Sequence, residues 1–223
     1  MKPLPGTKEE VTNIAGLLEA SNWQVQTKTD QRAGEYEFKK ELETTSPGIL
    51  HIATHGFSFP DEAKKESKLT EMNQTSTYKV SEDPMVRCGL MLSGSNISWT
   101  GNPKKMIEQT GDDGILTAAE VANLDLSSTK LAVLSACETG LGKIEGSEGT
   151  FGLKRGFKLA GVEQMIVSLW SVPDKETMEL MTLFYTDLTK TLNPVISFEK
   201  AQKEMRFKYP TEPEKWAGFV LVR

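Results

Sequence analysis

Cysteine and histidine are scarce in this chain: two of each in 223 residues. Two cysteines, Cys88 and Cys137, are too few for a disulfide framework, and they suit a reducing compartment where thiols stay free. The two histidines, His51 and His55, find no third metal ligand in the pattern around them, so no metal and no cofactor is expected. Positive charge is also short. Lys and Arg number 26 against 31 Asp and Glu, a net charge of −5, and no basic stripe stands out. That argues against direct binding of nucleic acid. Long apolar runs are absent too. No stretch approaches the ~18–20 residues that would span a membrane. The start, "MKPLPGTKEE", has no signal-peptide core, so the expected location is cytoplasmic. No period of ~34 residues marks a helical repeat array. The glycine-rich stretch 140–149 lacks the Lys-Ser/Thr ending of a phosphate cradle.

What remains is an ordinary globular composition, 38% hydrophobic and 26% charged, in a length that suits one large domain. Thr7 and Glu10 have capping-box spacing ahead of a helical stripe, Val11, Ile14, Leu17 and Leu18. The segment 22–28 reads as a short strand and 33–43 as a polar-faced helix. The near-continuous apolar runs 48–54, 130–137 and 163–172 read as strands buried on both faces, the first closed by His55-Gly56. Segment 88–94 reads as a further strand, 95–114 as mostly loop, and 58–84 as a long polar loop or insertion. Thr117 and Glu120 form a second capping box. Helices are expected over 150–161, from Asp174 (itself a candidate N-cap) along Met178, Met181, Phe184, Tyr185 and Leu188, and over 195–208; a last strand covers 216–222. Strands alternating with helices predict an α/β fold, a mostly parallel sheet covered on both faces. Sites in such folds gather at the carboxyl ends of strands.

Both scarce residue types stand at such ends. "LAVLSACETG" brings a buried strand to Cys137, and "HIATHG" brings another to His55. A thiol of ordinary pKa is only a few per cent thiolate at neutral pH. An imidazole beside it can take the proton and return it to a leaving amine. A glycine such as Gly56 lets main-chain N–H groups approach a ligand closely, and the N–H groups of Gly56 and Cys137 are candidates for an oxyanion hole.

These two blocks, with "LAVLSACETGLGKIEGSEGTFGLKRGFKLAGVEQMIVSLWSVPD" and the two chain ends, resemble the CHAT domain over nearly the whole chain, 1–223. CHAT domains are similar to caspases, separases and gingipains. The resemblance implies a caspase-like three-layer αβα sandwich and a cysteine endopeptidase. His55 would be its general base and acid, and Cys137 its nucleophile. The alternative is a catalytically silent interaction or signalling module on the same fold. A small-molecule amidase or transferase is a third reading. Caspases carry Gln-Ala-Cys-x-Gly with the histidine about 50 residues upstream. Here Ser135 stands in place of that glutamine, which argues against Asp specificity, and Cys137 lies 82 residues after His55 (137 − 55).

The same resemblance makes Trp170, Ser171 and Val172 candidates for pairing with a substrate backbone. Asp174, and secondarily Glu138, become candidates for the pocket of the residue before the cut, where an acid would favour Lys or Arg. His51 and Cys88 read as structural. The expected partners are a protein or peptide substrate and an activating protein or tetratricopeptide-type helical segment, with no membrane.

Overall fold

The computed structural model describes residues 4–59, 78–79, 81–99, 103–137, 148–170 and 172–223, with side chains throughout except at 5, 103, 105, 136–137 and 148–151. Its centre is a six-stranded sheet. The strands are β1 (Ile49–Ser58), β2 (Cys88–Met91), β3 (Ile115–Thr117), β4 (Leu131–Cys137), β5 (Gln164–Ser168) and β6 (Phe219–Val222), in the order β3-β2-β1-β4-β5-β6. β1, β4 and β5 run parallel, whereas β2, β3 and β6 each pair antiparallel. The sheet is therefore mixed, not mostly parallel. A single crossover helix returns the chain in the same direction, but β5 and β6 are joined by two helices in succession. These are α7 (Asp174–Thr191) and α8 (Pro194–Lys208), and they reverse the chain. The β2–β3 connection likewise carries two short helices, α3 (Ser95–Trp99) and α4 (Pro103–Thr110), in a stretch whose sequence reads as loop.

The alternation of side chains along the central strands sorts the core into two layers. Leu131, Val133 and Ile166 face α1 (Pro5–Ala20), α7 and α8, meeting Ile14, Leu180, Met181, Phe184 and Phe198. Ala132, Leu134, Met165 and Val167 face the other way. They meet Leu42 of α2 (Glu35–Leu42), Val121 of α5 (Ala118–Val121) and Phe157 of α6 (Glu148–Leu159). Burial on both faces is why these strands read as unbroken apolar runs. β3 is three residues long, too short to leave a pattern.

Local signals divide. The Thr117–Glu120 capping box forms as its spacing predicts, and Gly161 ends α6 at φ +101°. Residues 22–28 alternate inward and outward, with Trp23 and Val25 against the core, but they pair with no strand among the described residues. The Thr7–Glu10 capping box does not form. α1 starts earlier, with Pro5 in its first turn, and the Thr7 hydroxyl donates to the Leu4 carbonyl at 2.8 Å. Nor does Asp174 cap α7: it is the first helical residue, behind Pro173. Most of the insertion expected at 58–84 lies outside the described residues. Its two ends are joined, because Phe59 N–H donates to the Arg87 carbonyl and the Arg87 guanidinium returns bonds to the carbonyls of Phe59 and Ser81.

Candidate functional site

β1 and β4 pair in parallel over seven consecutive positions, from Ile49 opposite Leu131 to His55 opposite Cys137. Apolar residues on both faces hold that register, since a one-residue slip would turn every side chain to the wrong layer. Register partners on neighbouring strands lie about 4.8 Å apart. The candidate imidazole and thiol thus belong to adjacent backbone positions on one rung, although their residues are far apart in sequence. The Cys137 side chain is outside the described set.

β1 does not end at His55-Gly56. It continues through Gly56, Phe57 and Ser58, which pair with Leu90, Gly89 and Cys88 of β2, and His55 itself is opposite Met91. His55 is therefore flanked by a strand on each side, and Gly56 sits inside the sheet. The continuation has a physical cause in the aromatic residues. Phe57 and Phe59 pack with Tyr78 and Trp99, ring centroids 5.4–6.0 Å apart, over Met91 and Ile115. The Tyr78 hydroxyl donates to Asp113. These rings form a firm wall beyond His55.

The other flank is the end of β5. Ser168 pairs with Phe219, and Leu169 N–H donates to the Gly218 carbonyl at 2.7 Å, so β6 occupies that edge up to Leu169. Trp170 is 40% exposed, with its indole over Gly218, where a Cβ would stand 2.9 Å from Nε1. Val172, 2% exposed, belongs to the core beneath α7. Asp174 lies against Gly6 of α1, where an added Cβ would come within 2.9 Å of its Cβ and 3.4 Å of Oδ2. Ser171, Glu138 and the loop through residue 147 lie outside the described residues.

His51 shares a strand face with His55 but is committed elsewhere. Its Nε2 is 3.0 Å from Glu10 Oε1 and its Nδ1 is 3.0 Å from the Tyr185 hydroxyl. With Glu10 as a carboxylate, Nε2 carries the proton and Nδ1 accepts the Tyr185 O–H, so every partner is satisfied. Burial, aided by the Glu10 charge, pushes the Tyr185 hydroxyl up. This network explains the unused capping box: the Glu10 carboxylate is 3% exposed and serves β1 instead of its own helix end. Sequence spacing predicted a local role for Glu10 and a core role for Tyr185, and nothing in it joins three residues that far apart.

A second polar cluster was not foreseen at all. The Lys39 ammonium lies 2.6 Å from Glu35, 3.4 Å from Asp112 and 2.8 Å from Glu120. These carboxylates lie within 4.8 Å of one another and are the only group with metal-binding geometry among the described residues. Lys39 is the cation they already hold. Glu35 Oε2 also accepts Gly114 N–H at 2.8 Å, and burial pushes its carboxyl up to about 7. Cys88 is buried against the carbonyls of Pro84 and Met85. No helix among the described residues is long and apolar enough to cross a membrane.

A family model described as "CHAT domain" matches residues 1–223. Tetratricopeptide repeat protein 28 of Mus musculus is 35% identical over 109 residues, and its Homo sapiens counterpart 34% over 109. Each alignment covers 48% of this chain but only 4% of the relative, so the chain is similar to one small part of those proteins. The family match runs the full length, and the chain belongs to the CHAT domain family, within the caspase-like peptidase clan.

Proposed function

We propose that the chain is a cysteine endopeptidase in which Cys137 and His55 act as a dyad on a peptide bond. One observation carries this reading: His55 and Cys137 are register partners on neighbouring parallel strands, at the carboxyl end of β4. Paired positions in a parallel ladder share a sheet face. In the proposed reaction His55 takes the thiol proton, and the sulfur attacks the carbonyl carbon. The resulting oxyanion is held by main-chain N–H groups at Gly56 and Cys137. Collapse breaks the C–N bond, and His55 gives the proton to the leaving amine. Water, deprotonated by His55, then hydrolyses the thioester and restores the thiol. Trp170, Ser171, Asp174 and Glu138 are the residues from which contacts to the substrate would come. No metal or cofactor enters these steps.

The test is cleavage of a diverse peptide library by the full chain. Cys137→Ala and His55→Ala should each abolish cleavage and leave the melting temperature near that of the wild type. Equal failure of wild type and variants, with helical-repeat segments supplied as activators, would refute it.

The comparisons lean toward a second reading, a caspase-like interaction module without turnover. The family description names a domain and no reaction, and the relatives are named for their repeats. On that reading, as on the first under regulation, the partner is a tetratricopeptide-type segment. A Cys137 thiol no more reactive than a free cysteine would favour it.

A further inference from the structure

The inner stripe of α8, Phe198, Ala201 and Met205, is buried in the core, and Gln202 beside it donates to the Phe219 carbonyl at 2.9 Å. The outer face departs from the polar pattern expected of a surface helix. Ile196 is 54% exposed, and Phe207, in the last turn, is 90% exposed. Between them, on the same line along the helix, stand Lys200 and Lys203, both exposed. The intervals of four, three and four residues are the spacing of a coiled-coil seam. This seam runs for about 16 Å.

A third exposed apolar side chain stands at the head of the seam. Leu192, 69% exposed, joins α7 to α8 with φ +55°. That left-handed backbone favours glycine or asparagine, and a leucine is strained in it. A hydrophobic residue just before an N-cap can pack on the fourth helical residue as a staple. Here the N-cap is Asn193 and the fourth residue is Ser197, whose hydroxyl turns inward to Asp187 at 3.1 Å. The fold therefore gains no staple from Leu192, whereas glycine would relax the backbone and remove exposed apolar surface. Strain that the fold does not need points to a role outside it.

We propose that this seam of α8, with Leu192 at its head, docks an amphipathic helix of a partner protein whose apolar stripe is interrupted by carboxylates. The occupant follows from charge. Lys200 pairs with Asp187 of α7, while Lys203 has no ion pair among the described residues. Covering Lys203 with apolar side chains alone would strand its charge. A second copy of α8 would set lysine against lysine, because the order apolar-Lys-Lys-apolar is the same in either direction. A helix with glutamate or aspartate at the two middle positions satisfies the lysines and covers Ile196 and Phe207. An anionic lipid surface is the poorer fit, because Glu199 and Glu204 border the seam and the chain carries a net charge of −5. The inference stands apart from the chemistry at Cys137.

The test is fluorescence anisotropy with the full chain and a labelled synthetic helix of about 21 residues. This peptide has leucine at its outer seam positions and glutamate at the two inner ones; a second peptide has lysine in place of glutamate. The glutamate peptide should bind saturably, and the lysine peptide at least tenfold more weakly. Phe207→Ala and Leu192→Gly should each weaken binding at least tenfold, with Leu192→Gly leaving the melting temperature at or above that of the wild type. Lys203→Glu should reverse the preference between the two peptides. No saturable binding of the glutamate peptide, equal binding of both, or affinities untouched by the three substitutions would overturn the inference. So would a dimer in sedimentation equilibrium that Phe207→Ala dissolves, which makes a second copy the occupant. Binding to phosphatidylserine vesicles but not to the peptide would overturn it in favour of a membrane.

Discussion

Replacing His51 by alanine tests the buried network that ties α1 and α7 to β1. The substitution leaves the Glu10 carboxylate, 3% exposed, without its partner, and orphans a Tyr185 hydroxyl that is fully buried. Stranding a buried carboxylate without its hydrogen-bond donor costs about 3–5 kcal/mol, because the charge is left uncompensated. The orphaned hydroxyl alone would cost about 1–3 kcal/mol, and the two penalties overlap. A net loss of about 4 kcal/mol is a large share of the ~5–15 kcal/mol that holds a typical protein folded. For a chain of this size the melting temperature should fall by about 8–16 °C. Companion variants separate charge from shape. Glu10→Gln keeps an acceptor for Nε2–H and should cost under about 1.5 kcal/mol. Replacing both partners, Glu10→Leu with His51→Leu, should cost less than His51→Ala, because no buried charge is stranded. Denaturant titrations with matched m-values give these numbers. A His51→Ala loss below about 1 kcal/mol would refute the reasoning, since it falls under the cost of even one orphaned buried hydroxyl.

Two further outcomes follow from other parts of the fold. Burial raises the Glu35 carboxyl from 4.5 to about 7, so between those pH values the folded chain keeps a proton that the unfolded chain has lost. Its contribution to stability is full below pH 4.5 and is lost as pH rises through about 7. Denaturation curves across that window should show a downward slope that Glu35→Gln flattens, and an identical slope in the variant would contradict the assignment. Gly156→Ala should destabilise by about 1–3 kcal/mol despite the better helix propensity of alanine, because the added methyl would stand 2.5 Å from the Ala118 carbonyl oxygen. A neutral or stabilising result in thermal melts would show that α5 and α6 can part.

Much of the site was legible because it depends on short-range patterns. The apolar runs ending at Cys137 and near His55 identify buried strands, and the scarcity of both residue types draws attention to those ends. The Thr117 cap is local and reads correctly. Whatever depends on long-range partners does not read. The extension of β1 past Gly56 needs β2 beside it and an aromatic wall from Phe59, Tyr78 and Trp99. The mixed sheet follows from two helices in succession between β5 and β6, which alternation of elements alone does not distinguish from one crossover. Glu10 misled because capping spacing is a local signal, and burial beside His51 outweighs it.

The central claim, that His55 activates Cys137, is met most directly by alkylation of the intact chain with iodoacetamide at neutral pH, read residue by residue by mass spectrometry. Cys137 should react well ahead of buried Cys88, and His55→Ala should slow it at least tenfold. A Cys137 that reacts at the rate of an ordinary thiol, indifferent to His55→Ala, would contradict the account.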